Sequence, residues 1–66
     1  MSWKVYIMES ELGWGTRLDE TLDFGDSSID HERAVAYVKG YNSVNNKSII
    51  PDWYMYADGP HWVDKE

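Results

Sequence analysis

The segment Trp3-Lys4-Val5-Tyr6-Ile7-Met8-Glu9 restricts the fold more than any other feature of the chain. It is dense in β-branched and aromatic residues, with Trp3, Val5 and Ile7 on one alternate face and Lys4, Tyr6 and Met8 on the other. A strand with apolar matter on both faces belongs in the middle of a sheet. The rest of the chain must therefore supply a neighbour on each side. With 66 residues there is room for one domain, residues 1–66, and the sequence has no cysteine to staple it. A chain of this length buries only about 60% of the surface its unfolded form exposes, so each large apolar side chain weighs heavily in its stability.

The first neighbour follows at once. Ser10-Glu11-Leu12-Gly13-Trp14-Gly15 has turn chemistry, its two glycines permitting positive φ, and predicts a hairpin. From Trp14 to Phe24 the alternation places Trp14, Thr16, Leu18, Leu22 and Phe24 on one side and Arg17, Asp19, Thr21 and Asp23 on the other. Glu20 is the misfit on the apolar side, which points to a bulge or an exposed strand edge there.

Gly25-Asp26 ends this strand and Ser27 or Ser28 caps a helix. Ser27 with Asp30 three positions later is a variant of the capping box, and Asp30 and Glu32 place negative charge at the helix's positive end. Ile29, Ala34, Val35, Val38 and Tyr41 form the expected buried stripe, opposite a polar side of His31, Glu32, Arg33 and Lys39. Gly40 and Asn42 predict the end of a helix of about twelve residues. Asn42 to Ser48 is a polar connection with a turn at Asn45-Asn46. Ile49-Ile50-Pro51 leads into a third strand, Asp52 to Ala57, which Asp58-Gly59-Pro60 stops. His61-Trp62-Val63 is a tail expected to fold back on the body, because Trp62 is costly to leave in water.

The order β-β-α-β has one economical solution on so short a chain. This is an α+β fold with a three-stranded antiparallel sheet in the order 2-1-3 and one helix packed on one face. Val5, Ile7, Leu18, Leu22, Trp53 and Met55 are expected under the helix. Tyr6, Met8, Tyr54 and Tyr56 then stand on the uncovered face, bordered by Lys4, Arg17, Asp19 and Asp23.

An open sheet face of tyrosines and a methionine either stacks nucleobases or anchors a protein. The formal charge of -6 decides between them. It repels phosphate backbones and favours basic partners, so a protein with a basic surface is expected and nucleic acid is not. Two structural alternatives bury the same face: the Trp62 tail folded over it, or a homodimer formed through it. The acids make a second surface. Asp19, Glu20, Asp23, Asp26, Asp30 and Glu32 follow one another with no base between Asp19 and Glu32, a ridge able to imitate a nucleic-acid backbone, though a solvated strand face and helix start explain the same residues more simply, without any partner.

Signals of chemistry are weak. His31 and His61 lack metal-ligand spacing, with His31 expected on the helix surface and His61 in a loop. The serines lack a nucleophile-elbow context, and Gly13-Trp14-Gly15 lacks the lysine of a phosphate loop. A domain this small also has little room for a pocket of several hundred Å³. No enzyme activity, cofactor or metal is expected; a small-ligand or metal sensor using His61 and neighbouring acids is a minor alternative. The start Met-Ser-Trp-Lys-Val-Tyr-Ile-Met lacks a signal peptide's apolar stretch, and no apolar run reaches the roughly 20 residues of a membrane span, so a cytoplasmic location is expected. Asn46-Lys47-Ser48 matches the glycosylation sequon only by chance.

In its acidity, aromatic density and stretches such as Pro51-Asp52-Trp53-Tyr54-Met55-Tyr56, the chain resembles the small accessory proteins of tailed bacteriophages, which serve host takeover and anti-defence. The resemblance lies in general character and carries no site residues. It implies a module that binds and blocks a host nuclease, toxin or immune effector in the host cytoplasm. Tyr6, Met8, Tyr54, Tyr56, Asp19, Asp23 and Asp26 are the expected partner-binding residues.

Overall fold

A computed structural model describes residues 1–11, 13–45 and 53–64, without the side chain of Asn45. Leu12, the Asn45-Asn46 turn, Ile49-Ile50-Pro51, Asp52 and the sequon lie wholly or partly outside the described residues. The chain order is β1 (Ser2–Glu11), β2 (Gly15–Gly25), α1 (Ser28–Asn45) and β3 (Trp53–Val63). The sheet has the expected order β2-β1-β3, with both pairings antiparallel. The hairpin turn is closed by the Trp14 amide donating to the Glu11 carbonyl (3.0 Å), with Gly13 and Gly15 at φ near +90°.

The helix begins as its sequence predicts. The Asp30 amide donates to Ser27 Oγ and the Ser27 amide donates to Asp30 Oδ2, each at 3.0 Å, a reciprocal capping box in which aspartate takes the usual glutamate's place. Gly25, at φ +105°, lets the chain pass this cap, because a Cβ there would run into the Asp30 carboxylate.

Beyond the cap the helix differs from expectation. It continues through Gly40 to Asn45, eighteen residues rather than about twelve. Its packed side is Ala34, Val38, Tyr41 and Asn42, flanked by Tyr37, whose ring meets Phe24 at 5.6 Å. The spacing 34, 37, 38, 41, 42 is an unbroken helical stripe. Ile29 and Val35, expected within it, are exposed because they lie off that line.

The buried core is Val5, Ile7, Ala34 and Ala57, surrounded by Leu22, Phe24, Val38, Tyr41 and Met55. Full burial of a valine or isoleucine is worth roughly 1.5–3 kcal/mol, so Val5 and Ile7 are large contributors in a domain with so few buried residues. Desolvation raises the Tyr41 phenol above its ordinary value.

Beside an extra residue at Phe24, between the Trp3–Gly25 and Lys4–Asp23 pairs, two irregularities re-aim side chains. Ile7 faces Glu20 on β2, but Met8 faces Leu18, which leaves Asp19 as the extra residue of a bulge one position from the predicted one. An inserted residue reverses the alternation beyond it. Leu18 therefore faces away from the helix and is 53% exposed, correcting its expected place in the core. The second lies in β3, which does not stop at Asp58: Asp58 faces Tyr6 and His61 faces Lys4, so Gly59 and Pro60 together stand against Val5. Their peptide bond is cis. A Cβ on Gly59 would sit 2.9 Å from the Lys4 carbonyl oxygen, so the close approach of the strands admits only glycine. A proline fits because an edge-strand bulge does not demand its missing N–H. Among the described residues, no helix is long and apolar enough to cross a membrane.

Candidate functional site

The register defines the sheet face turned away from α1. Met8 stands between Leu18 and Tyr56, Ser10 between Thr16 and Tyr54, and Tyr6 between Thr21 and Asp58. Since opposed residues in antiparallel strands share a face, Tyr6, Met8, Tyr54 and Tyr56 come together as the sequence predicts, joined by Leu18. The Tyr54 and Tyr56 rings lie 6.0 Å apart, inclined at 35°. Among the described residues no helix or strand packs over this face.

The tail has another fate than folding back. It forms the end of β3, and Trp62 faces Trp3, which touches the helix, so Trp62 lies on the helix side and not over the tyrosines. His61 alone bears on the tyrosine face, stacked against Tyr6 at 5.4 Å and 29°, with its Nε2 3.2 Å from Asp58 Oδ2. His61 is thus a strand residue, not a loop one. No group of three or more His, Asp or Glu side chains placed to hold a metal occurs among the described residues.

The carboxylates divide. Asp23 faces Lys4 at the border of the tyrosine face, accepting from Ser2 Oγ at 3.1 Å and from the Gly25 amide at 3.0 Å. Asp19 occupies the β2 bulge and is exposed. Asp30 is committed to the helix cap. Asp26, an expected partner-binding residue, lines a cleft on the helix side with Glu32.

Sequence reasoning missed a cluster at the hairpin end. Glu9 faces Arg17 on one side and Met55 on the other. Its Oε1 accepts from Arg17 Nε at 2.5 Å and its Oε2 accepts from the Trp53 indole N–H. The Trp53 hydrogen bond, then that from Arg17, holds the Glu9 carboxyl below the usual carboxylate range. Arg17 therefore does not border the tyrosine face, and Trp53 is half exposed beside Glu9 instead of lying under the helix. The signal was the eight-residue spacing of opposite charges across a hairpin. A cleft of about 270 Å³ adjoins this cluster, lined by Glu9, Glu11, Trp14 and Arg17 among others. With both oxygens engaged, Glu9 serves the hairpin's geometry and is poorly disposed to act as a base.

The opposite end of the sheet holds an aromatic corner. Trp3 meets Trp62 at 4.7 Å and His31 at 4.4 Å, the imidazole edge-on to the indole at 61°. His31, expected on the helix surface, is half-buried there by its contact with Trp3. These rings, with Asp26, Ser28 and Glu32, line an open cleft of about 490 Å³. The expectation that so small a domain lacks room for such a volume is corrected: the space is a surface cleft between helix start and sheet end, which needs no large interior. No family model, curated protein or solved structure matches the chain.

Proposed function

We propose that this chain is a protein-binding module that docks the tyrosine face of its sheet on a basic protein surface and acts by occluding that surface. The observation that carries the reading is the gathering of Tyr6, Met8, Leu18, Tyr54 and Tyr56 on one side of the sheet, away from the helix. Tyrosine and methionine are enriched in interface cores, where an amphipathic ring supplies area with little entropy to lose. The choice of a basic partner rests on the charge of -6, with Asp23 and Asp58 beside the face and Asp19 at the adjacent bulge. Such charges steer association and pair with Lys or Arg at the rim. The same charge opposes close approach of two copies through this face. A nuclease, toxin or immune effector of a bacteriophage host, whose work depends on a basic surface, is the class of target that fits, with the exposed acids taking the place of a phosphate backbone.

The test is substitution on the face with the fold monitored. Tyr54→Ala and Tyr56→Ala should leave the circular dichroism spectrum and unfolding midpoint near those of the parent while weakening capture of the partner by about tenfold or more. Raising salt should slow association. Partner binding unchanged by both substitutions, or a stable dimer of the isolated chain in sedimentation, contradicts the reading.

A further inference from the structure

We infer that the cleft between the start of α1 and the Trp3–Trp62 end of the sheet is a binding site for an alkylated ammonium group. It lies on the helix side, apart from the tyrosine face, and goes beyond the proposed docking function. Its walls are the two indoles, inclined at 51° with centroids 4.7 Å apart, and the His31 ring. Trp62, one of the lining residues, is 45% exposed. Indole is the side chain whose face attracts cations most strongly. The formal charges in the lining, Asp26 and Glu32, are both negative, and no Lys or Arg is among the lining residues. Arg33, the next basic group along the helix, is turned to Asp30 at 3.6 Å.

A helix start ordinarily favours anions, and this one is disposed otherwise. The amides of Asp30 and His31 are taken by Ser27 Oγ and the Ser27 carbonyl, and two carboxylates stand in front of them. An anion there would meet the repulsion of both carboxylates. Among cations, a bare ammonium is held by its hydration shell. An alkylated ammonium sheds water readily and buries its methyl groups against the rings, which suits a cleft that is aromatic on one side and acidic on the other. Its volume of about 490 Å³ falls within the roughly 300–1,000 Å³ of small-molecule sites.

The probes are tetramethylammonium, choline, its neutral isostere 3,3-dimethylbutanol, and a short peptide carrying one lysine, trimethylated or unmodified. The readout is the set of tryptophan indole N–H resonances of the labelled full chain. The inference predicts saturable shifts of the Trp3 and Trp62 signals with tetramethylammonium or choline, none at Trp14, and binding of the neutral isostere weaker by about tenfold. Glu32→Gln, an exposed change that spares the aromatic corner, should weaken cation binding by a few-fold; Trp62→Ala should abolish it, the remaining indole signals reporting that the chain is folded. Tighter binding of the trimethylated peptide than of choline assigns the group to a protein side chain, and the reverse assigns it to a free molecule. Absence of saturable shifts, equal binding of the neutral isostere, or equal binding of the unmodified and trimethylated peptides overturns the inference.

Discussion

Asn42 of the helix is joined to Ala57 of the third strand by two hydrogen bonds. The Ala57 amide donates to Asn42 Oδ1 at 2.7 Å, and Asn42 Nδ2 donates to the Ala57 carbonyl at 3.0 Å. β3 is an edge strand, and Ala57, itself buried, turns these backbone groups away from β1. The asparagine amide thus stands in for a missing fourth strand at this residue, pairing buried groups that would otherwise lose water without compensation. It also fixes the helix axially against the sheet.

Asn42→Ala should accordingly destabilise the domain by about 1–3 kcal/mol, the cost of leaving buried backbone groups unpaired. Asn42→Asp should be at least as damaging, because a carboxylate cannot donate to the Ala57 carbonyl. Urea denaturation measures both. An unchanged midpoint for Asn42→Ala would mean that the pair adds nothing to stability.

The helix cap has two separable parts. Ser27→Ala removes the acceptor for the Asp30 amide and should cost about 1 kcal/mol. Gly25→Ala leaves that acceptor in place but forces a methyl group toward Asp30 at a positive φ, and should cost more than about 1 kcal/mol. If Gly25→Ala unfolds at the parent's midpoint, the close approach of Gly25 to the cap does not hold in solution.

Acid should weaken the fold through Glu9 and Asp30. Glu9 is held below the ordinary carboxylate range by the Trp53 indole and then by Arg17, and Asp30 by the Ser27 amide and then its hydroxyl. With folded-state values depressed, the unfolded chain takes up protons first. Their stabilisation is therefore complete above the ordinary range, near pH 4, and is lost as pH falls through the lowered values. Glu9→Gln with Asp30→Asn should flatten the decline of the urea midpoint between about pH 5 and pH 3. An equally steep decline in the double variant would remove these two groups from the account.

The bulge at Asp19 makes neighbouring leucines opposite in kind. Leu22 packs against the core and Leu18 does not. Leu22→Ala should cost about 2 kcal/mol or more, whereas Leu18→Ala should stay within about 0.5 kcal/mol of the parent. Equal losses would place both residues on one face and contradict the register.

The strand order and the cap were legible because they depend on local signals: a segment apolar on both faces, glycine turns, and a serine three residues before an aspartate. Legibility failed where tertiary pairing overrode the local pattern. Gly40 and Asn42 resemble a helix end, yet the helix passes through both because Asn42 has a partner on β3. Asp58-Gly59-Pro60 resembles a strand end, yet a bulge absorbs it and carries Trp62 to Trp3. Leu18 was placed under the helix because the misfit at Glu20 marks a bulge or an exposed edge without distinguishing them, and the residue inserted at Asp19 reverses every side chain past it. Within the site, Tyr6, Met8, Tyr54 and Tyr56 were found because the extra residues fall on β2 and at Gly59–Pro60, leaving the alternation of β1 and of the start of β3 unbroken.

Hydrogen exchange of the chain with and without a partner captured from a host lysate tests the central claim most directly. The account predicts that Met8, Leu18, Tyr54 and Tyr56 and their strand neighbours gain protection in the complex while the exposed side of α1 does not, and that Tyr54→Ala loses both the capture and the protection. Protection confined to α1, or a captured partner held equally by the Tyr54→Ala chain, would contradict it.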